Sequence, residues 1–330
     1  MPRPVVGLIV NPMSGRDIRR LVAHASVVDN VEKANIVKRV ILTLERMGVA
    51  KLIVMPEEAG IVDRALSMMP RGPLIDIELI DMVVRGDWLD TYNAASYMRG
   101  RVNALISIGG DGTNRVIAKA GIEAPLMPIS TGTNNVFPYF IEATIAAMAA
   151  GVVALGEVPL EDVTFRSKRV EIWRNGELAD IALVDAAATT HQFVASRAVW
   201  RLEYVHEIVS GLCAPYNLGL SSIPGMYRTV TQGDDEGMYV KLSRGGSGGV
   251  VYAPIAPGLL EMVKVGEHRL LHLGEPVEIE TKPSIIALDG ERTVEVFKGD
   301  DVVAVVTRKG PRVINYRKAL DRARALFRNT

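Results

Sequence analysis

One acidic residue stands inside a run of glycines, and this stretch has the residue types best suited to chemistry. Gly109, Gly110 and Gly112 surround Asp111, and Thr113 adds a hydroxyl. Glycine lets backbone N–H groups approach a phosphate, and the carboxylate places one negative charge beside them. The spacing differs from the dinucleotide fingerprint Gly-x-Gly-x-x-Gly and from the P-loop pattern that ends in Gly-Lys-Ser/Thr. The run predicts a phosphate-binding turn that carries an acid; the alternative is a tight turn in which the aspartate caps a helix.

Two other loops carry the same kind of polar groups. One follows the first apolar run of the chain, and the other follows the run at residues 125–129. Their hydroxyls, amides and backbone N–H groups are the donors and acceptors that hold phosphate and ribose oxygens. For each loop taken alone, an ordinary turn is the alternative. With the glycine turn, the predicted nucleotide-binding residues of these loops are Asn11, Ser14, Gly15, Thr131, Gly132, Thr133, Asn134 and Asn135.

The elements between these loops predict how the loops come together. Apolar strand patterns alternate with helical patterns over the first 150 residues, which is typical of a doubly wound, mostly parallel α/β sheet. In such sheets ligands bind outside the carboxyl ends of the strands, so we expect the three loops at one edge. The predicted strands are 5–10, 51–55, 74–80, 104–108 and 125–129, and the predicted helices are 31–47, 58–69, 87–98 and 114–120.

The second half of the chain has a different pattern, and the change places a domain boundary near residue 150. The dipeptide Asn175-Gly176 between two short runs predicts a β-hairpin. Strand patterns also dominate from residue 238 to residue 307, and together these runs predict a β-sandwich-like domain. Residues 191–212 have helical spacing and are predicted as a helix. The glycine-rich stretch 245–249 is predicted as a flexible hairpin loop.

The composition limits the partners and the compartment. Of the 330 residues, 38 are Lys or Arg and 38 are Asp or Glu, so the formal net charge is zero. This balance disfavours a general nucleic-acid binder. Cys213 is the single cysteine, which excludes an internal disulfide and fits a cytoplasmic protein. No apolar run has the length of a membrane span, so no membrane partner is expected.

Four motifs, in this order, resemble those of the NAD kinase and diacylglycerol kinase superfamily. Within it, segments 15–28, 195–200 and 219–225 are similar to the AcoX-type ATP–NAD kinase-like branch, which is named for acetoin-catabolism clusters. The resemblance covers nearly the whole chain. The motifs are Asn11-Pro12-x-Ser14-Gly15, Gly109-Gly110-Asp111-Gly112-Thr113, Thr131-Gly132-Thr133-Asn134-Asn135 and Asp289-Gly290-Glu291.

The resemblance implies a two-domain phosphotransferase that uses ATP and Mg²⁺ in a cleft between its domains. The first domain is residues 1–150 and the β-rich acceptor domain is 151–312. The C-terminal helix at 313–330 docks back on the first domain. A small-molecule acceptor is expected, with the 2′-hydroxyl of NAD as the first choice and NADP as the product. A soluble lipid kinase and a catalytically silent nucleotide-binding regulator are the alternatives. The expected assembly is a homo-oligomer, a dimer.

The resemblance also implies roles for four carboxylates. By analogy with NAD kinases, Asp111 takes the proton of the acceptor hydroxyl. By analogy with soluble lipid kinases, Glu291 takes it and Asp111 organises metal or phosphate. Asp289 is the candidate for contacting both the substrate and Mg²⁺. Val184-Asp185 aligns loosely with the Asn-Glu pair that holds the dinucleotide in NAD kinases, so Asp185 is a candidate for binding an acceptor hydroxyl.

Overall fold

The structure, a computed structural model, describes residues 3–15, 28–132, 134–190, 202–245 and 248–328. The strands are β1 (Val5–Val10), β2 (Lys51–Val54), β3 (Asp76–Leu79), β4 (Ala104–Gly109), β5 (Leu126–Ser130), β6 (Thr164–Arg166), β7 (Arg169–Arg174), β8 (Glu177–Ala182), β9 (Asp185–Thr189), β10 (Val205–Ser210), β11 (Glu236–Leu242), β12 (Gly249–Ala256), β13 (Leu259–His272), β14 (Pro276–Glu278), β15 (Ser284–Leu288), β16 (Glu291–Val296), β17 (Val302–Thr307) and β18 (Arg312–Ile314). The α-helices are α1 (Asn30–Arg46), α2 (Ile61–Ser67), α3 (Trp88–Met98), α4 (Asp111–Lys119), α5 (Ala143–Leu155), α6 (Leu160–Val163), α7 (Ser222–Gly225) and α8 (Tyr316–Arg322), with 3₁₀ turns at Leu202–Tyr204 and Arg324–Phe327.

Six strands from the first half of the chain and β18 from its end form a seven-stranded sheet in the order β3-β2-β1-β4-β5-β18-β6. Every neighbouring pair is parallel except β18 with β6. This confirms the predicted doubly wound, mostly parallel sheet. Val10 of β1 is level with Ile108, and Gly109 of β4 is level with Ser130 of β5. The three polar loops therefore leave adjacent strands at one edge of the sheet.

Helices pack on this sheet, and side-chain caps mark where several of them begin. Asp29 caps α1 by accepting the N–H of Glu32, and Asp87 caps α3 by accepting the N–H of Leu89. Such caps satisfy amides that have no partner within the helix. The stripe of α1 is buried and packs against α5. Helix α4 begins at Asp111, three residues before the predicted start, so the aspartate lies in its first turn.

The second half of the chain forms two antiparallel sheets that pack face to face. The larger has the order β12-β13-β11-β10-β9-β15-β16, and the smaller has the order β14-β17-β7-β8. Val170 and Val306 from the small sheet share a buried core with Val209 and Leu288 from the large sheet. This confirms the predicted β-sandwich-like architecture.

The prediction of a helix over residues 191–212 is wrong for its described part. Residues 205–210 form β10, a central strand between β9 and β11. This strand is buried on both faces. The apolar residues Leu202, Val205, Ile208 and Val209 recur at three- and four-residue spacing, which predicts a helix, and the polar residues between them gave no sign of a buried central strand. Residues 191–201 lie outside the described residues.

The prediction of a hairpin loop at residues 245–249 is also wrong, because β11 and β12 are not neighbours. Strand β13 lies between them and pairs with both. The sequence analysis did not predict β13, although it is fourteen residues long. The connection from β11 to β12 therefore crosses β13, and its residues 246–247 lie outside the described part of the chain.

The end of the chain returns to the first sheet. Strand β18 pairs with β5 in parallel, with Val313 level with Leu126. Ala319 of α8 is buried in the core formed by α1, α5 and the sheet. The ring of Tyr316 meets the ring of Tyr139 edge-on at 5.3 Å between centroids. The last segment thus packs on the first half of the molecule.

Within the described residues, no helix combines the length and the apolar character needed to cross a bilayer.

Candidate functional site

The loop after β1 is tied to the glycine turn by the side chain and backbone of Asn11. The backbone N–H of Asn11 donates to the carbonyl oxygen of Ile108 at 3.0 Å. Its side-chain Nδ2 donates to Oγ1 of Thr113 at 2.9 Å. Ser14 closes the loop by donating from Oγ to the carbonyl oxygen of Asn11 at 2.7 Å. These bonds fix the first two polar loops relative to each other.

A buried lysine supports the loop after β1 from below. Lys33 of α1 is fully buried. Its ammonium group donates to the carbonyl oxygens of Asn11, Pro12 and Ser14 at 3.0, 3.0 and 2.8 Å, and to Oδ1 of Asn30 at 3.2 Å. The residue after Asn11 is Pro12, which has no N–H, and the N–H of Met13 donates to Oδ1 of Asn11 at 2.9 Å. Because a trans peptide directs its N–H opposite to its C=O, the Ser14 carbonyl that faces the ammonium turns the N–H of Gly15 away from it. The sequence analysis missed Lys33.

The glycine turn is packed so closely that two of its glycines have no room for a side chain. A Cβ on Gly109 would lie 2.5 Å from Oγ1 of Thr113, and a Cβ on Gly110 would lie 2.7 Å from Oδ1 of Asn135. The same Oδ1 accepts the N–H of Asp111 at 3.4 Å. The absence of side chains here lets Thr113 and Asn135 pack directly against the backbone of the turn.

Asp111 is half-buried at the start of α4, where a helix has excess positive potential. Its Oδ1 accepts the N–H of Phe137 at 2.8 Å and that of Val136 at 3.1 Å. Gly112 is the next residue of the helix. The carboxylate is therefore held at the rim of the loops by backbone amides of the third loop.

The third loop contacts the first beside the buried side chain of Thr131. Gly15 has φ +74°, and a Cβ on it would lie 3.2 Å from the carbonyl oxygen of Thr131. Thr131 is fully buried, and its Oγ1 has no hydrogen-bond partner among the described residues. A buried hydroxyl without a partner is costly, and a phosphate oxygen in the loop would satisfy it. Ser130 Oγ donates to the carbonyl oxygen of Gly132 at 2.7 Å.

The side-chain amide of Asn135 ties the third loop together. Asn135 donates from Nδ2 to Oγ of Ser130 at 2.9 Å and to the carbonyl oxygen of Gly132 at 3.3 Å. Asn134 lies beside it in the loop and is half-buried. Thr133 lies outside the described residues. The described loop residues thus hold one another, and they do so next to Asp111.

Asp289 lies in the other half of the molecule, in the turn between β15 and β16. Asp289 and Gly290 both have positive φ, 51° and 81°, as a two-residue hairpin turn requires. The carboxylate is fully buried and accepts the N–H groups of Leu183, Val184 and Asp185 at 3.0, 2.8 and 3.3 Å. Burial raises the pKa of this carboxyl above its ordinary value, and Arg115 and the three amides act in the opposite direction.

Two cations of α4 connect the two halves. Arg115 Nε lies 3.9 Å from Oδ2 of Asp289, and its NH1 lies 3.6 Å from Oδ2 of Asp180 on β8. Lys119 Nζ lies 2.9 Å from Oδ1 of the same Asp180. The sequence analysis missed Arg115. The available signal was spacing, since Asp111, Arg115 and Lys119 recur every four residues on one helix face.

The predicted site residues fall into two groups. The loops at 11–15, 109–113 and 130–135 meet at one edge of the first sheet, apart from Thr133. Asp185 is the first residue of β9 and is buried. Its carbonyl oxygen accepts the backbone N–H of Asp289, and its own N–H donates to the Asp289 carboxylate. Glu291 is the first residue of β16, and its side chain lies outside the described part of the structure.

The described side chains fit a nucleotide better than they fit a separate metal ion. The closely packed glycines and the partnerless hydroxyl of Thr131 suit the oxygens of a phosphate chain. No three His, Cys, Asp or Glu side chains converge anywhere in the described ranges. The oxygens of Asp289 already accept three amides, so its assignment as a Mg²⁺ ligand stays a prediction. Mg²⁺ usually binds through substrate phosphates and water with one or two carboxylates.

Two sequence comparisons place the chain among known proteins. Residues 168–309 match the C-terminal domain of acetoin catabolism protein X. The acetoin catabolism protein X of Cupriavidus necator is 36% identical over 313 residues, which cover 92% of this chain and 87% of that protein. The similarity thus spans both halves of the molecule.

Two solved structures have the same fold at low sequence identity. Yeast NADH kinase complexed with NADH superposes with a TM-score of 0.56 at 13% identity, covering 99% of this chain and 88% of the kinase. A putative diacylglycerol kinase from Bacillus anthracis str. Sterne superposes with a TM-score of 0.52 at 15% identity, covering 94% and 97%. This confirms the predicted fold, which is that of the NAD and diacylglycerol kinases.

Proposed function

The chain belongs to the acetoin catabolism protein X family, and we propose that it is an ATP-dependent phosphotransferase. It moves the γ-phosphoryl group to a hydroxyl of a small molecule. The observation that carries this proposal is the meeting of three polar loops, with Asp111 at their rim, at the carboxyl ends of β1, β4 and β5. The kinase-like fold supports it.

At the nucleotide end, the chain supplies donors and space. The loop after β1, with Asn11, Ser14 and Gly15, takes phosphate oxygens on its polar side chains and on the N–H of Gly15, which lies opposite the carbonyl that Lys33 holds. Gly110 lets Asn135 of the third loop pack against the glycine turn, and Thr131 provides a hydroxyl that has no partner among the described residues. Mg²⁺ arriving with the nucleotide would neutralise phosphate charge, as in other phosphoryl-transfer sites.

In the transfer step, the acceptor oxygen attacks the γ-phosphorus and the bond from that phosphorus to the β–γ bridging oxygen breaks. ADP leaves, and the acceptor proton goes to a carboxylate within hydrogen-bond reach. Asp111 is the first candidate for this base, and Glu291 is the second. In the second case Asp111 organises the phosphates. Variants of both residues, Asp111→Asn and Glu291→Gln, separate the two assignments by their effect on kcat.

For the acceptor we propose the 2′-hydroxyl of NAD, with NADP as the product. The fold shared with an NADH kinase solved with NADH supports this choice. Asp185, at the start of β9, is proposed to bind an acceptor hydroxyl, and Asp289 is proposed to hold it in place. The shared fold with a putative diacylglycerol kinase makes a lipid the second acceptor to test.

We also propose that the working unit is a homodimer in the cytoplasm. The proposed domains are 1–150 and 151–312, with 313–330 docked on the first. Light scattering on the purified protein tests the dimer, and a monomer would contradict it. Separate expression of residues 151–312 tests whether the β-rich part folds alone.

The test of the proposed activity is incubation with Mg-ATP and NAD, followed by mass spectrometry for NADP. We expect NADP from the wild type and none from Asp111→Asn. Vesicles containing diacylglycerol take the place of NAD in a parallel reaction. Protection against heat by ATP without transfer to either acceptor would favour the silent nucleotide-binding regulator, and no protection would contradict nucleotide binding itself.

A further inference from the structure

We propose that Arg115 is a positioning residue that fixes the start of β9, the wall carrying Asp185, to the helix that begins at the phosphate loops. Its structural part stands on contacts alone. Its kinetic part rests on the proposed function, because it assigns the acceptor to that wall.

Helix α4 begins at the phosphate loops, and its next turn carries Arg115. Asp111 and Arg115 are one turn apart on the same face, about 6 Å along the axis. Asp111 bonds to the third polar loop, whereas Arg115 reaches across to Asp289 and Asp180 in the β-rich half. A single rigid helix thus holds contacts to both sides.

The Asp289 carboxylate holds the backbone segment that leads to Asp185. Its carboxylate accepts three consecutive backbone N–H groups, those of residues 183–185. These residues join β8 to β9 and end at the candidate acceptor residue Asp185. On the other side of the same segment, the carbonyl oxygen of Val184 accepts the N–H of Gly211 at 2.9 Å. The position of this segment therefore depends on where the Asp289 carboxylate is held.

The charges of Arg115 and Asp289 interact strongly because both groups are buried. The Asp289 carboxylate is fully buried and the guanidinium of Arg115 is 5% exposed, so water screens neither charge well. A buried carboxylate that loses its cationic partner either takes up a proton or moves toward water. Both responses weaken the hydrogen bonds to residues 183–185, because a neutral carboxyl is a poorer acceptor than an ion.

The consequence for activity is a split between the two substrates. Without Arg115 the phosphate loops keep their own contacts, so the KM for ATP should stay within twofold of wild type. The segment leading to Asp185 loosens, so the KM for the acceptor should rise at least tenfold. A general loss of folded protein would instead lower kcat without such a split.

The experiment is hydrogen exchange on the full chain, comparing wild type with Arg115→Met. We expect exchange of the residue 183–185 amides to be at least tenfold faster in the variant. The amides of Val136 and Phe137, held by Asp111 on the same helix, are the internal control and should not change. Arg39→Met is the matched variant, because Arg39 also forms two ion pairs but only within the first half.

The conservative variant Arg115→Lys keeps a charge and should restore most of the protection. Should Arg115→Met fail to fold, Arg115→Gln takes its place with the same expectation. Unchanged exchange at residues 183–185, or equal acceleration at Val136 and Phe137, would overturn the positioning role. A wild type with no transfer activity would defeat the proposed function but leave the exchange result to decide on Arg115.

Discussion

The molecule contains two Asp-Gly turns that look alike in sequence and differ in their surroundings. Asp111 and Asp289 each precede a glycine, and each accepts consecutive backbone N–H groups from a neighbouring segment. Asp111 is half-buried at the rim of three polar loops, at the start of a helix. The Asp289 side chain is fully buried beside Arg115.

The same Asp-Gly pair can therefore present a carboxylate to a ligand, or it can fix a chain segment in place through hydrogen bonds. A carboxylate at a helix start and a loop rim can meet substrate and metal. A carboxylate enclosed by three amides and a guanidinium has its acceptor sites used within the protein. Variants at and around the two aspartates test this difference.

The largest expected effect is the loss of stability when the buried aspartate is truncated. Asp289→Ala removes the acceptor of three backbone amides and one of the carboxylates that pair with Arg115. We expect the free energy of unfolding to fall by about 3–5 kcal/mol, the usual range for breaking a buried ion pair. Urea denaturation measures it. Asp111→Ala is the matched variant, and a loss as large as that of Asp289→Ala would erase the distinction between the two turns.

The next largest effect is expected at Lys33, which supports the loop after β1 near Asp111. Lys33→Met removes the ammonium donor from three loop carbonyls and from Asn30. We expect a loss of about 2–3 kcal/mol in unfolding free energy, since hydrogen bonds to charged groups contribute about 1.5–3 kcal/mol. ATP affinity, measured by calorimetry, should fall at least tenfold because the loop loses the contacts that fix its shape. Unaltered ATP affinity would separate Lys33 from the nucleotide site.

A smaller effect is expected from adding one methyl group to the glycine turn. In Gly110→Ala the new Cβ would lie 2.7 Å from Oδ1 of Asn135, so the third loop must shift. Overpacking of this kind costs about 1–3 kcal/mol. Gly299→Ala is the control, because a Cβ there meets nothing within 4 Å. Equal unfolding free energies and ATP affinities for the two variants would contradict the close packing at the rim.

The smallest effect comes from a buried cation that has fewer partners than Arg115. Lys168 donates to the carbonyl oxygen of Glu236 at 2.8 Å. Burial, and then the nearby Arg308, lower the pKa of Lys168 from 10.5 to about 8. Between pH 8 and 10.5 the unfolded lysine keeps its proton while the folded one releases it. Stability should therefore rise with pH across this window.

The control for that pH dependence is Lys168→Met. This variant should lack the rise, and urea denaturation at several pH values compares it with the wild type. A wild-type stability that falls between pH 8 and 10.5 relative to the variant would contradict the assignment of the lowered pKa to this lysine.

The fold could be predicted from the sequence because its signals are local. The alternation of apolar runs and helical stripes indicated the parallel sheet, and glycines at strand ends marked the loops that meet at its edge. Strand β10 was predicted as a helix because a strand buried on both faces has no alternation to detect. Strand β13 was missed, although Pro257-Gly258, which joins it to β12, is a local turn signal; its pairing with β11, which precedes β12 in the chain, is a tertiary property.

The supporting residues of the site could not be predicted, because their partners are distant in sequence. Lys33 lies on the apolar stripe of α1, three and four residues before Ile36 and Val37, and only the folded loop shows why a charge is there. Arg115 pairs with Asp289, which is 174 positions away. Motifs identified the loops, whereas the cations that hold them became visible only in the folded chain.

The most direct test of the account is transfer of labelled phosphoryl from γ-labelled ATP to NAD, with wild type and Asp111→Asn side by side. ATP binding and unfolding free energy are measured on the same preparations. We expect labelled NADP from the wild type, and no transfer from the variant although it still folds and binds ATP. Equal transfer by both proteins, or no transfer by the wild type, would contradict the assignment of phosphoryl transfer to this edge of the sheet.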